Sequence, residues 1–182
     1  MPKKGVFFDR DGTLIVDKIY LNDPEQIVYL PGAFEALRRL RDDGYEFVVV
    51  TNQSGLARDL VQIQNLDEIH RRIAEEFARN GVFFAAFHYA PYSVESGHWM
   101  RKPNPGMLET AAREHGFDVS RSWMVGDRMT DVEAGRRAGM RTVLLRNEVG
   151  QAGSDPEGAP APTVIASGLL DAAAQVLAHD AP

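Results

Sequence analysis

A mainly parallel β-sheet covered by helices on both faces is the α/β fold class this chain predicts, and two patterns carry the prediction. Short apolar runs of strand composition recur along the sequence, and between them lie stretches whose apolar residues repeat at helical spacing. Strands that alternate with helices are joined by crossovers, which set the strands parallel. A third observation limits the design: no segment between these elements is large enough for a separate cap domain, so the mouth of any site at the strand ends stays open.

The elements follow in order. Gly5-Val-Phe-Phe8 is a short buried strand, and Gly12 breaks its pattern just past the end. Residues 32–43 place Phe34, Leu37 and Leu40 on one helical face and stop at Gly44. Residues 46–50 form the second strand. Asn65 is expected to cap a helix that carries Leu66, Ile69, Ile73 and Phe77 and ends near Gly81. Residues 82–89 form the third strand. Asn104 and Pro105 read as an N-cap followed by proline at the first helical position, and Met107, Leu108, Ala111 and Ala112 carry that helix to Gly116. Residues 122–125 are a strand, 131–138 a short helix closed by Gly139, and 141–145 another strand. A last strand at 163–166 and a helix at 169–178 complete the set. One domain over residues 1–182 is expected, with the Gly-, Ala- and Pro-rich stretch 147–162 as a flexible connection. Insertions at 14–31 and 90–100 leave strand ends, where loops usually carry specificity.

Composition narrows the function. The 182 residues are 44% hydrophobic and 25% charged, ordinary for a soluble domain. The net charge is -6 with acids and bases interleaved, which argues against nucleic acid as a partner. Cysteine is absent, so no disulfide framework exists. No run approaches the ~18 apolar residues of a membrane helix, and no apolar stretch as long as a signal peptide's h-region follows Met1-Pro-Lys-Lys4. A cytoplasmic, monomeric protein without membrane association is the expectation.

The most informative segment is Asp9-Arg-Asp-Gly-Thr13, directly after the first strand. Residues two apart on an extended chain point the same way, so Asp9 and Asp11 offer two carboxylates at a strand's carboxyl end. Such a pair suits a hard cation such as Mg²⁺, or a nucleophile beside a general acid/base. A calcium loop of the EF-hand type would need a closing Glu at position 20, and that residue is Tyr20. A solvated turn is the other alternative. Three further segments weigh against it: Thr51-Asn-Gln-Ser-Gly55 after an apolar run, Arg101-Lys-Pro103 before a helix, and Gly126-Asp-Arg-Met-Thr-Asp131 after another strand.

These four segments, in this order, resemble the four motifs of the haloacid dehalogenase superfamily of phosphohydrolases. With Arg101-Lys-Pro-x-Pro-Gly-Met107 they resemble its branch of heptose-bisphosphate and histidinol-phosphate phosphatases. The resemblance spans residues 5 to 146 and implies a Rossmann-like three-layer α/β/α sandwich without a large cap. It implies Asp9 as nucleophile through an aspartyl-phosphate and Asp11 as general acid/base. Thr51 would bind phosphate and Lys102 would neutralise the transition state. Mg²⁺ would be held by Asp9, Asp11 (through its backbone carbonyl) and Asp127. Substrate contacts are expected from Asp17 and Tyr20 in one loop, from Asn52, Gln53 and Ser54 in a second, and from Arg101 and Arg128. Arg128 stands where the branch usually has lysine, which bears on substrate identity more than on catalysis. Asp131 has two open roles, capping a helix or reaching the metal.

The 90–100 loop departs from the branch. Many members carry a zinc loop with Cys and His ligands there, whereas this chain offers His98 alone, so no structural zinc is expected. His88, in an apolar strand, reads as a core histidine. Heptose 1,7-bisphosphate is the preferred substrate because Arg101 and Arg128 cluster cations for a second phosphate. Histidinol phosphate is the alternative; a polynucleotide 3′-phosphatase and a non-catalytic binding module rank below.

Overall fold

The computed structural model describes residues 2–146, 158 and 160–180. Six strands form one sheet: β1 (Lys4–Phe8), β2 (Tyr45–Asn52), β3 (Phe84–Ala90), β4 (Trp123–Gly126), β5 (Arg141–Leu145) and β6 (Val164–Ala166). Their spatial order is β3-β2-β1-β4-β5-β6, and every neighbouring pair is parallel. The helices are α1 (Ala33–Asp42), α2 (Ile63–Arg79), α3 (Gly106–His115), α4 (Met129–Arg137) and α5 (Leu169–Asp180). The expected flexible connection lies largely outside the described residues.

Side-chain alternation sorts the sheet into two faces. Val6 and Phe8 of β1, Phe47 and Val49 of β2, and Trp123 and Val125 of β4 pack with α1, α2 and α5. Phe7, Val48, Val50 and Met124, one residue out of phase, pack with α3 and α4. Both faces are therefore apolar and covered, as a parallel sheet requires, giving the three-layer sandwich that the strand and helix patterns predict.

Two helix starts differ from the sequence expectation, for one reason. Asn65 does not cap α2; the helix begins at Ile63, and the backbone N–H of Gln62 is met by Asn22 Oδ1 from 40 residues upstream at 2.8 Å. Asn65 instead donates to that same oxygen at 3.1 Å. Asn104 does not cap α3; its amide turns back to the carbonyls of Gly97 and His98 at 3.2 and 3.1 Å. Orphan groups at helix ends take whatever partner tertiary structure supplies, and a local sequence window contains no trace of these.

Topology places the site. The strand order reverses direction between β1 and β4, and ligands of open α/β sheets bind at that point beyond the strands' carboxyl ends. Asp9 follows β1 and Asp127 follows β4, and Asp9 N donates to Val125 O at 2.9 Å across the junction.

Candidate active site

A cleft of about 530 Å³ opens at this edge. Asp9, Asp11, Asp17, Tyr20, Thr51, Asn52, Gln53, Ser54, Arg101, Lys102 and Arg128, which lie up to 119 positions apart in sequence, all line it. Asp127 lies just beneath, its carboxylate clustered with those of Asp9 and Asp131 within 4.8 Å. Two glycines make this crowding possible. A Cβ on Gly12, which has φ +80°, would sit 2.2 Å from Asp127 Oδ2, and one on Gly126 equally close to Asp131 Oδ2.

Lys102 is buried in the floor. Its ammonium donates to Asp9 Oδ1 at 2.9 Å and to Val50 O at 2.8 Å, and it pairs with Asp131 Oδ1 at 2.6 Å. Burial opposes its charge, but Asp131 and Asp9 outweigh that and raise its pKa. Asp131 also accepts from Arg128 N at 3.1 Å, so it caps α4 while anchoring Lys102. Asn52 clamps the Lys102 peptide from both sides, accepting its N–H at 3.1 Å and donating to its carbonyl at 3.0 Å.

The carboxylates are crowded. Burial, then Asp9 and Asp131, push Asp127 up to about 7. Asp131 rises to about 6, burial leading and Lys102 opposing. Three carboxylates against one ammonium leave a formal charge of −2, which one divalent cation would cancel. Asp127 Oδ1 is buried without a hydrogen-bond partner. An orphaned anionic oxygen facing two other carboxylates fits a hard cation, and these residues suit Mg²⁺.

Asp11 is held differently. Arg10 Nε and Nη2 donate to its two oxygens at 3.1 Å each, and Gln53 Nε2 donates to Oδ2 at 2.9 Å. Its side chain is not one of the three clustered carboxylates. Its pKa is raised, chiefly by burial, with Arg10 pulling the other way and Asp9 adding to the rise. Gln53 Nε2 also donates to Thr51 Oγ1 at 2.8 Å, so one amide spaces the acid from the hydroxyl. Arg10 is 1% exposed, and its Nη1 meets His70 Nε2 at 3.1 Å. The motif reading did not assign Arg10 or His70 a role. Their signals were a cation inside the aspartate motif and a polar residue on the apolar stripe of α2.

The mouth is cationic. Arg128 Nη2 donates to Asp17 Oδ2 at 2.8 Å, while Asp17 Oδ1 accepts from Ile19 N at 2.7 Å and holds that β-branched residue at φ +67°. Arg58 donates to Tyr20 Oη at 3.1 Å. Arg101 Nη1 donates to Tyr92 O at 2.8 Å. The 90–100 loop behind it is ordered by the Tyr92 ring stacked on His98, centroids 3.4 Å apart, and by the two Asn104 bonds. His98 Nδ1 accepts from Met100 N at 3.1 Å. His88 lies beside Glu114 on the α3 face and does not line the cleft.

Comparison with known proteins agrees with this geometry. The haloacid dehalogenase-like hydrolase family matches residues 6–78, and the HAD-hydrolase-like family matches 99–172. The chain is 35% identical, over the full length of both, to D-glycero-D-manno-heptose-1,7-bisphosphate 7-phosphatase of Thermosynechococcus vestitus. It is 38% identical to D-glycero-beta-D-manno-heptose-1,7-bisphosphate 7-phosphatase of Mesorhizobium japonicum, over 96% of this chain and 84% of that one. The crystal structure of D,D-heptose 1,7-bisphosphate phosphatase from B. bronchiseptica with magnesium and phosphate superposes with a TM-score of 0.84 at 31% identity, covering 97% and 99% of the two chains. Fold and site thus define a phosphatase of the haloacid dehalogenase type. Within that class, the chain belongs to the family of the heptose 1,7-bisphosphate phosphatases.

Proposed function

We propose that this chain hydrolyses one phosphate ester of D-glycero-D-manno-heptose 1,7-bisphosphate, the one at position 7 by analogy with the names of its relatives. The observation that carries the reading is the division of the cleft: a carboxylate and lysine floor at the strand ends, and Arg101 and Arg128 at the mouth. The floor suits the transferring phosphate, and the two guanidiniums suit a second one.

Asp9 attacks phosphorus as the sugar oxygen leaves, and the proton for that oxygen comes from Asp11. Lys102, fixed by Asp131 and the Val50 carbonyl, offsets charge on the equatorial oxygens, and Thr51 donates its hydroxyl to one of them. Asp11, now ionised, takes a proton from the water that hydrolyses the aspartyl-phosphate, which returns Asp9 and releases inorganic phosphate. Mg²⁺ held by Asp9, Asp127 and the Asp11 carbonyl would supply the charge that lets two anions meet. We read the enzyme as a one-domain monomer.

Histidinol phosphate would bring an ammonium group, for which a free carboxylate at the mouth is needed. Asp17 is already engaged by Arg128 and the Ile19 amide, which disfavours that substrate. Phosphate release is measured with the heptose bisphosphate, the corresponding heptose monophosphate and histidinol phosphate. The bisphosphate is expected to have the highest kcat/KM, and Arg101→Ala should cost it about 2 to 4 kcal/mol. Equal losses on bisphosphate and monophosphate would move Arg101 to the transferring phosphate and sink the assignment.

A further inference from the structure

Arg10 sits inside the aspartate motif, next to the nucleophile in sequence and fully buried. Burying a guanidinium beside an active site is costly unless each face of it is used. One edge grips both oxygens of Asp11. The opposite edge donates through Nη1 to His70 Nε2, a ring on α2 that is 60 positions away in sequence and itself buried. Arginine can only donate, so Nε2 must accept and the imidazole proton sits on Nδ1. The ring is walled by Phe87 at 5.0 Å and Tyr89 at 6.1 Å between centroids, which leaves it little freedom to turn.

We propose that His70 is a positioning residue for the general acid: by accepting one Arg10 N–H it locks the guanidinium fork, and the fork fixes the rotamer of Asp11 over the leaving oxygen. The inference rests on the reading of Asp11 given above. The choice of histidine has a physical reason. A carboxylate at position 70 would compete with Asp11 for the fork and share its charge. A neutral acceptor takes one N–H and leaves the cation to Asp11. An aliphatic residue would leave Nη1 without its partner in a buried site, and the fork would be free to shift. Displacement of a catalytic group by about 1 Å is enough to cost on the order of 100-fold in rate.

The test compares an alkyl phosphate that the wild type turns over with p-nitrophenyl phosphate, whose leaving oxygen needs little protonation. Asp11→Asn sets the scale for loss of the acid. His70→Leu, which keeps volume but cannot accept, is expected to lower the single-turnover rate of alcohol release, which precedes hydrolysis of the aspartyl-phosphate, about 10- to 100-fold on the alkyl ester and less than about 3-fold on the aryl ester. His70→Gln, which can place an amide oxygen where Nε2 lies, should recover most of the alkyl rate. Equal losses on both esters, no loss on either, or failure of glutamine to rescue would overturn the proposal. Should His70→Leu not fold, Arg10→Lys, which keeps the charge and loses the fork, must show the same selective loss; an unselective one overturns it as well. If Asp11→Asn itself does not discriminate between the esters, the assignment of the acid has failed rather than the role of His70.

Discussion

Asp9, the proposed nucleophile, accepts a 2.9 Å hydrogen bond from Lys102 and is only 7% exposed. Asp9→Asn keeps the shape and removes the nucleophile, so turnover should fall by ~10⁴-fold or more. Single-turnover phosphate release measures this, and activity above about a hundredth of wild type would remove Asp9 from that role. His70 gives a second prediction at this scale, in stability. Burial, and then Arg10, lower its pKa to about 3, from an ordinary 6.5 in the unfolded chain. Between those values the unfolded state holds a proton that the folded state lacks. Stability from this group is therefore complete above pH ~6.5 and declines as pH falls, by about 2 kcal/mol at pH 5. Urea unfolding of wild type and His70→Gln at pH 7.5 and pH 5 isolates it, because other titrating groups are common to both. The gap between the two proteins should change with pH by that amount; a constant gap would show that His70 is protonated in the folded state.

Among the elements, the 90–100 loop matters most, because it presents Arg101 to the cleft. It has no cysteine, and its shape comes from the Tyr92–His98 stack and from Asn104, which also accepts from Arg137 Nη1 at 3.0 Å. A strong zinc chelator should leave both the melting temperature and the Mg²⁺-supported rate unchanged; a fall in stability with about one zinc released per chain would mean that His98 has ligand partners. Asn104→Ala removes two carbonyl bonds and should cost about 1 to 3 kcal/mol in unfolding free energy. Its kinetic effect should be a raised KM for the bisphosphate with kcat nearly kept, since the floor is untouched. A fall in kcat with KM constant would mean the loop shapes the floor.

For the whole molecule, folding brings three carboxylates together against their mutual repulsion, and the cation's benefit is therefore also a stability effect. Mg²⁺ at ten times its dissociation constant should stabilise the fold by about 1.4 kcal/mol, or roughly 3 to 6 °C for a chain of this size. Asp127→Asn should raise the melting temperature of the metal-free protein, because it removes one repelling charge, and should abolish the Mg²⁺ response and activity together. A Mg²⁺ shift that survives in Asp127→Asn would place the cation elsewhere. Among the described residues, no helix is long and apolar enough to cross a membrane.

The sequence by itself determined the layers and the motif-bearing strand ends. Alternation of apolar residues along β1 and β2, and 3.6-residue spacing along α1 and α2, are local properties that burial reads in a fixed way. The gathering of Asp9, Thr51 and Asp127 at one edge followed from that, because parallel strands bring their carboxyl ends together there. Only the tertiary structure decided the rest. Asn22 rather than Asn65 meets the start of α2, Asn104 orders a loop rather than capping α3, and His70 reaches Arg10 from 60 positions away. Each is a hydrogen bond between distant segments, and such bonds depend on where a side chain ends up in space, which no periodicity in the chain records.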